Sequence, residues 1–112
     1  MAVRANCDLS GDPEVIITWD SDKNSSVYFV DYCEGTTCSP TTSLDGVPED
    51  SGQDGFRRFY AHIDDPFGSP PPPVAGKTYK YRVQGAKLLN GEYLVGPWSD
   101  VMSVTVPLTI CK

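Results

Sequence analysis

The feature that most constrains this chain is an alternation of apolar and polar residues with a period of two, interrupted at short intervals by turn residues. In EVIITWD, residues 14–20, the side chains of Val15, Ile17 and Trp19 fall on one face of an extended segment. In TYKYRVQ, residues 78–84, tyrosine and valine alternate with basic and amide residues in the same way. Ten prolines and ten glycines punctuate the chain, and no stretch has helical periodicity. The pattern predicts an all-β fold.

Turn residues divide the chain into about seven strands, which is typical of an antiparallel β-sandwich. The dipeptide Asn90-Gly91 predicts a two-residue hairpin turn, because both central residues of a type I′ turn need positive φ. In FRRFYAHI we expect Phe59, Ala61 and Ile63 to point into the core. The four successive prolines of residues 70–73 are expected to form a stiff surface connector. With 112 residues the chain fits a single domain, residues 1–112, which we expect to be one module of a longer protein.

The formal net charge of −6 bears on the partners of the chain. An anionic surface repels phosphate backbones and anionic lipids on average, so no nucleic-acid partner is expected. The longest aliphatic and aromatic runs, residues 15–17 and 27–30, are far shorter than a membrane-spanning helix requires. We therefore expect a soluble domain with no membrane insertion.

Four cysteines, Cys7, Cys33, Cys38 and Cys111, form an even set that allows two disulfides in three possible pairings. Zinc sites usually contain two close Cys pairs, whereas this chain has one Cys-x4-Cys pair and two distant single cysteines. Disulfides are therefore favoured over free thiols and over a metal site, and they indicate an oxidising compartment. Asn24 opens an N-glycosylation sequon, Asn-Ser-Ser, which points to the same compartment.

Four motifs, in their order along the chain, resemble those of fibronectin type III domains over residues 3–107. The second strand reads apolar-x-apolar-x-Trp at 15–19, and the third reads Tyr-x-Val-x-Tyr at 28–32. The sixth carries Tyr79 followed by alternating apolar positions, and Gly-x-x-Ser at 96–99 precedes the last strand. The resemblance implies a seven-stranded, immunoglobulin-like sandwich of two sheets.

The resemblance also implies structural roles for two aromatic residues. Trp19 is expected to fill space between the sheets. Tyr79 is expected to be the tyrosine-corner residue, with its ring in the core and its hydroxyl hydrogen-bonded to backbone upstream. Neither residue is assigned a binding role.

The topology that the resemblance implies brings the ends of the first, third and last strands to one pole. It thereby implies a local clip, Cys33–Cys38, and a tie between the chain ends, Cys7–Cys111. Peptide mapping that joined Cys7 to Cys33 or Cys38 would contradict this arrangement.

The segment GPWSD is similar to half of the Trp-Ser-x-Trp-Ser box of cytokine receptors. In that box cationic side chains stack on tryptophan, and Arg82 lies on the outward face of its strand, where it can cover Trp98. The second Trp-Ser is replaced by Val101-Met102. We interpret Arg82 and Trp98 as packing residues, and a receptor-like ectodomain module is kept as an alternative.

Candidate catalytic and metal residues are few. His62, the single histidine, lies in an alternating strand without an obvious partner, so a surface or sheet-face position is favoured over a general base. Asp20, Asp22 and Asn24 match the opening of a calcium loop, but the sixth position is Ser25 where the motif needs glycine. We expect no enzyme activity, no cofactor and no metal.

Binding is the expected function, and the hairpin around Asn90-Gly91 is the candidate site. Leu88, Leu89, Tyr93 and Leu94 give it more apolar surface than an exposed tip normally shows. We expect these residues, with the loop at 20–26, to contact a protein or glycan ligand; packing on the neighbouring sheet edge or on an adjacent domain of the same chain is the alternative. The chain is thus interpreted as an extracellular interaction, adhesion or spacer module, with an accessory domain of a secreted hydrolase as the other reading.

Overall fold

The computed structural model describes residues 1–20, 25–48, 57–63 and 71–111. This part of the chain contains eight β-strands and no helix. The strands are β1 (Ala2–Cys7), β2 (Pro13–Asp20), β3 (Val27–Glu34), β4 (Thr42–Pro48), β5 (Arg57–His62), β6 (Thr78–Leu89), β7 (Glu92–Trp98) and β8 (Met102–Thr105).

The strands form two antiparallel sheets. One has three strands in the order β1-β2-β5. The other has five, in the order β4-β3-β6-β7, with β8 also paired to β6. The predicted all-β, antiparallel sandwich is therefore confirmed.

The predicted count of seven strands is wrong by one, since the described residues form eight. The predicted return strand of the hairpin and the last strand appear as β7 and β8. β7 and β8 pair with different parts of the long strand β6, and residues 99–101 separate them. At this point Ser99 Oγ accepts a hydrogen bond from Val83 N at 2.9 Å, while Ser99 N donates to Val83 O at 2.8 Å. The serine side chain thus takes the place of a ladder carbonyl, and regular pairing stops.

The core lies between the two sheets and contains the alternating apolar residues predicted for β2. Val15 and Ile17 are fully buried, and Trp19 packs edge-on against Tyr28 with 5.5 Å between ring centroids. The expectation that Trp19 fills space between the sheets is confirmed. The other buried members of the cluster are Val30, Leu44, Val47, Tyr79, Tyr81, Val83 and Val106.

The face of β5 that packs on the core is the opposite of the predicted one. Phe59 and Ile63 are 50% and 39% exposed, whereas His62 is fully buried. The register explains the difference, because His62 pairs with the buried Val15 of β2 and paired residues share a side of the sheet. The predicted inward orientation of Phe59, Ala61 and Ile63 is therefore wrong.

His62 is hydrogen-bonded through both ring nitrogens. Its Nδ1 lies 2.8 Å from Tyr81 Oη, and its Nε2 lies 2.8 Å from the carbonyl oxygen of Pro71. Because a carbonyl oxygen can only accept, Nε2 carries the proton and the Tyr81 hydroxyl donates to Nδ1. Burial lowers the pKa of His62 and so favours the neutral ring. Of the two positions expected for His62, the surface is wrong; the residue lies on a sheet face, the inner one that packs on the core. Its bond to the Pro71 carbonyl also joins the described part of the proline segment to the core, where Pro73 is buried.

Tyr79 forms the predicted corner. Its hydroxyl accepts a hydrogen bond from Val74 N at 2.7 Å, which confirms the expected bond to upstream backbone, and lies 3.3 Å from Glu34 Oε1. Burial raises the pKa of Tyr79. The residue therefore joins the turn before β6 to the end of β3.

The two disulfides have the pairing that the resemblance implies. Cys7 at the end of β1 is joined to Cys111 beyond β8, with 5.2 Å between Cα atoms. Cys33 is joined to Cys38 across the turn that follows β3, with 6.2 Å between Cα atoms. One bond ties the two ends of the sandwich together, and the other closes a short local loop.

Candidate partner-binding face

The candidate site lies on the outward side of the five-stranded sheet. Side chains alternate between the two sides of a strand, and residues paired across antiparallel strands share a side. The registers accordingly place Phe29 beside Gln84 and Asp31 beside Arg82. We call this side the outer face; it consists of Val27, Phe29, Asp31, Arg82, Gln84, Ala86, Leu88, Tyr93, Val95 and Trp98.

The half of the outer face next to the hairpin is apolar. Phe29 and Tyr93 meet edge to face, with 5.5 Å between ring centroids. Leu88 pairs with Tyr93, and both are about half exposed, at 49% and 52%. Val95 is 60% exposed. We call Phe29, Leu88, Tyr93 and Val95 the apolar cluster. Several large apolar side chains grouped on one solvent-facing surface differ from the scattered exposed residues of an ordinary surface.

The other half of the outer face is polar and held by specific contacts. Arg82 Nη2 lies 3.1 Å from Asp31 Oδ2, in a largely buried ion pair. The Arg82 guanidinium carbon lies 3.8 Å from the centre of the Trp98 ring, which confirms the predicted stacking. Gln84 Nε2 donates to the Gly96 carbonyl at 2.7 Å. These contacts fix the end of β7 against β6 and support the packing roles expected for Arg82 and Trp98.

The hairpin turn has the predicted geometry. Asn90 has φ of 54° and Gly91 has φ of 83°, so both central residues adopt the positive φ that a type I′ turn requires. The turn sets the register of the hairpin, with Leu89 opposite Glu92 and Leu88 opposite Tyr93. Register in turn decides which side chains share a face.

The four residues predicted to bind a partner do not form one surface. All four are exposed, but Leu88 and Tyr93 belong to the outer face, whereas Leu89 and Leu94 lie on the opposite side of the hairpin. Their binding role remains a prediction. The structure separates them into two pairs that can be tested independently.

The base of the hairpin is fastened to the start of β3. Ser26 N donates to the Ala86 carbonyl at 2.7 Å, and Leu88 N donates to Ser26 Oγ at 3.3 Å. The predicted proximity of the hairpin to the end of the 20–26 loop is therefore confirmed for residue 26. Residues 21–24 of that loop, with the sequon residue Asn24 and the calcium candidate Asp22, lie outside the described residues.

Two members of the apolar cluster, Phe29 and Val95, were not among the predicted binding residues. Phe29 stands between Tyr28 and Val30, which are buried, so period-two alternation alone puts an aromatic side chain on the outward side of β3. That signal was present in the sequence. Val95 follows Tyr93 by two positions in β7, before the irregularity in the β6–β7 pairing, so the same alternation places it on the side of Tyr93.

No group of three or more His, Cys, Asp or Glu side chains in the described ranges is arranged to hold a metal ion. Within those ranges, too, no helix has the length and apolarity needed to cross a membrane. Comparison with protein-family models, with curated proteins and with solved structures finds no match to this chain.

Proposed function

We propose that this chain is a non-catalytic, extracellular module of fibronectin type III type, and that it binds a protein partner through the outer face of its five-stranded sheet. The observation that carries the proposal is the apolar cluster of Phe29, Leu88, Tyr93 and Val95.

The composition of the outer face suits a protein interface. Aromatic residues and arginine are enriched at such interfaces, where an apolar centre is bordered by polar groups. Here Phe29 and Tyr93 lie at the apolar centre, and Arg82 with Asp31 lies at the polar side. The centre would lose water on binding, while the ion pair would stay near the rim.

The outer face is also preorganised. The ion pair of Arg82, the stacking on Trp98 and the bond from Gln84 to Gly96 leave little side-chain freedom to be lost on binding. Binding that orders fewer groups retains more of its interaction free energy.

A protein partner is favoured over a glycan because the apolar cluster offers few hydrogen-bonding groups. Of its members only Tyr93 has a polar side-chain atom, and the neighbouring Gln84 amide already donates to Gly96. Sugar hydroxyls need hydrogen-bond partners when they lose water.

The extracellular location is supported by the cysteines. Both pairs are disulfide-bonded, and no free cysteine is present. Disulfides persist in secreted and cell-surface proteins and are rare where glutathione keeps thiols reduced.

The proposal is tested with two neighbouring leucines that point to opposite sides. Leu88 is 49% exposed on the outer face, and Leu89 is 43% exposed on the other side. The wild-type chain is tetramerised on streptavidin and screened against a panel of displayed extracellular domains. Each hit is then measured with Leu88→Ser and Leu89→Ser by surface plasmon resonance.

We expect Leu88→Ser to weaken binding and Leu89→Ser to leave it nearly unchanged. Circular dichroism and urea unfolding serve as controls, because exposed substitutions should alter stability by only about 0.5 kcal/mol. Equal affinity of the two variants for every hit would contradict the assignment of the outer face.

A further inference from the structure

β7 is an edge strand whose outer edge has no strand beside it among the described residues. It pairs with β6 on one side only. β8, further along the same edge, differs because β1 lies next to it. An exposed edge presents unpaired backbone N–H and C=O groups and is a template for another strand.

The neighbouring contacts identify which backbone groups of β7 point away from the protein. The Ala86 carbonyl and the Leu88 N–H are hydrogen-bonded to Ser26, on the β3 side of β6. Ala86 and Leu88 therefore form non-hydrogen-bonded pairs with their β7 partners, Val95 and Tyr93. In such pairs both residues direct their N–H and C=O groups away from each other. Tyr93 and Val95 thus present two donors and two acceptors at the free edge.

We propose that the free edge of β7 pairs with β7 of a second copy of this chain, antiparallel, about a two-fold axis at Leu94. In this register Tyr93 of one copy lies opposite Val95 of the other, and the reverse. Each of these pairs exchanges two backbone hydrogen bonds, so the outward groups of both residues in both copies are satisfied. The two five-stranded sheets then become one continuous sheet.

A second copy is preferred because the edge is complementary to itself in this register. Glu92 lies opposite Gly96, which has no side chain, so no like charges face each other across the axis. Tyr93 beside Val95 is an aromatic pair with a β-branched residue, a combination that stabilises neighbouring strands. It also joins the apolar clusters of the two copies into one surface.

The length and charge of the edge limit the strength of the dimer. Pro97 has no N–H, so regular pairing ends there. Each copy carries a net charge of −6, so repulsion between copies weakens the dimer at low ionic strength. We therefore expect a weak dimer that forms more readily as salt rises and screens this repulsion.

The test is a charge exchange at Leu94, which is 57% exposed and meets its own copy at the axis. Leu94→Asp and Leu94→Lys each place like charges opposite one another, whereas a mixture of the two variants places opposite charges there. Leu89→Lys is the matched control, because Leu89 is on the same side of the sheet but not on the edge. Sedimentation velocity is measured for each protein and for the mixture, at concentrations up to about 1 mM in about 0.15 M salt.

We expect the wild type and Leu89→Lys to dimerise equally, each Leu94 variant to dimerise about tenfold more weakly or worse, and the mixture to recover a dimer. A monomeric wild type at all concentrations would overturn the proposal. So would dimeric Leu94 variants, or a mixture that fails to associate although both variants fold. Because Leu88 and Leu89 are not on the edge, failure here leaves the test of partner binding unaffected.

Discussion

Replacing Tyr81 by phenylalanine removes one hydroxyl from the core and keeps the ring. The hydroxyl donates to His62 Nδ1 at 2.8 Å, and both residues are fully buried. In the variant, Nδ1 becomes a buried acceptor that has lost this donor. Leaving a buried group unsatisfied costs about 1–3 kcal/mol, so we expect the free energy of unfolding to fall by about 2 kcal/mol.

Urea unfolding followed by the fluorescence of Trp19 and Trp98 measures this change. With a denaturant slope of about 1–3 kcal/mol/M, the midpoint should fall by roughly 1 M at an unchanged slope. Tyr93→Phe is the matched control, because the same atom is removed from a residue that is 52% exposed, and its expected effect is within about 0.5 kcal/mol. If Tyr81→Phe were as stable as this control, the role assigned to the buried hydrogen bond would be refuted.

The burial of His62 predicts that the free energy of unfolding depends on pH. Burial lowers the pKa of His62, so the unfolded chain binds more protons than the folded one below the ordinary histidine pKa of about 6.5. Stability is fully present above about pH 6.5 and falls as the pH drops through that value, by at most about 1.4 kcal/mol per pH unit. His62 is the single histidine, so a flat unfolding free energy between about pH 7 and 5.5 would contradict the buried neutral state.

Three further predictions concern the disulfides and the hairpin turn. Removing the Cys7–Cys111 bond with Cys7→Ala and Cys111→Ala should lower the free energy of unfolding in urea by about 4–5 kcal/mol, because this bond joins residues 104 apart in sequence. Removing the clip with Cys33→Ala and Cys38→Ala should cost about 2 kcal/mol for a separation of 5 residues; equal losses for the two bonds would contradict the loop-length argument. In Gly91→Ala the added Cβ meets no atom within 4 Å, but alanine must adopt φ of 83°. Thermal unfolding should therefore show stability lower by about 1 kcal/mol, and unchanged stability would contradict the type I′ turn.

The buried side of a strand could be predicted where the apolar residues of the strand favour only one of its two faces. In β2 the buried Val15, Ile17 and Trp19 alternate with four residues of which three are polar, and the structure buries the expected side. The turn at Asn90 and Gly91 was predictable as well, because few other dipeptides accept positive φ at both positions. Local chemistry decides both features.

β5 could not be predicted in the same way, because FRRFYAHI alternates acceptably in two frames. Phe59 and Ile63 favour one frame by hydrophobicity, yet the structure uses the frame of His62. The deciding contacts are with Tyr81 and the Pro71 carbonyl, which are distant in sequence. A buried histidine is acceptable only when both nitrogens are satisfied, and alternation carries no information about such partners.

The candidate site was predicted only in part, for a related reason. Exposure at the hairpin follows from composition, but the division of Leu88 from Leu89 depends on strand register. The contribution of Phe29 requires knowing that β3 lies beside β6. The pairing of β3, β6 and β7 therefore decides which exposed residues form one surface.

Whether the outer face binds a protein partner is decided by the affinity ratio of Leu88→Ser to Leu89→Ser for one extracellular ligand. Burial of a leucine side chain contributes about 1.5–3 kcal/mol, which corresponds to roughly ten- to hundredfold in affinity. We expect Leu88→Ser to bind at least about tenfold more weakly than Leu89→Ser, with equal stability of the two variants. A ratio near one, or a larger loss for Leu89→Ser, would contradict it.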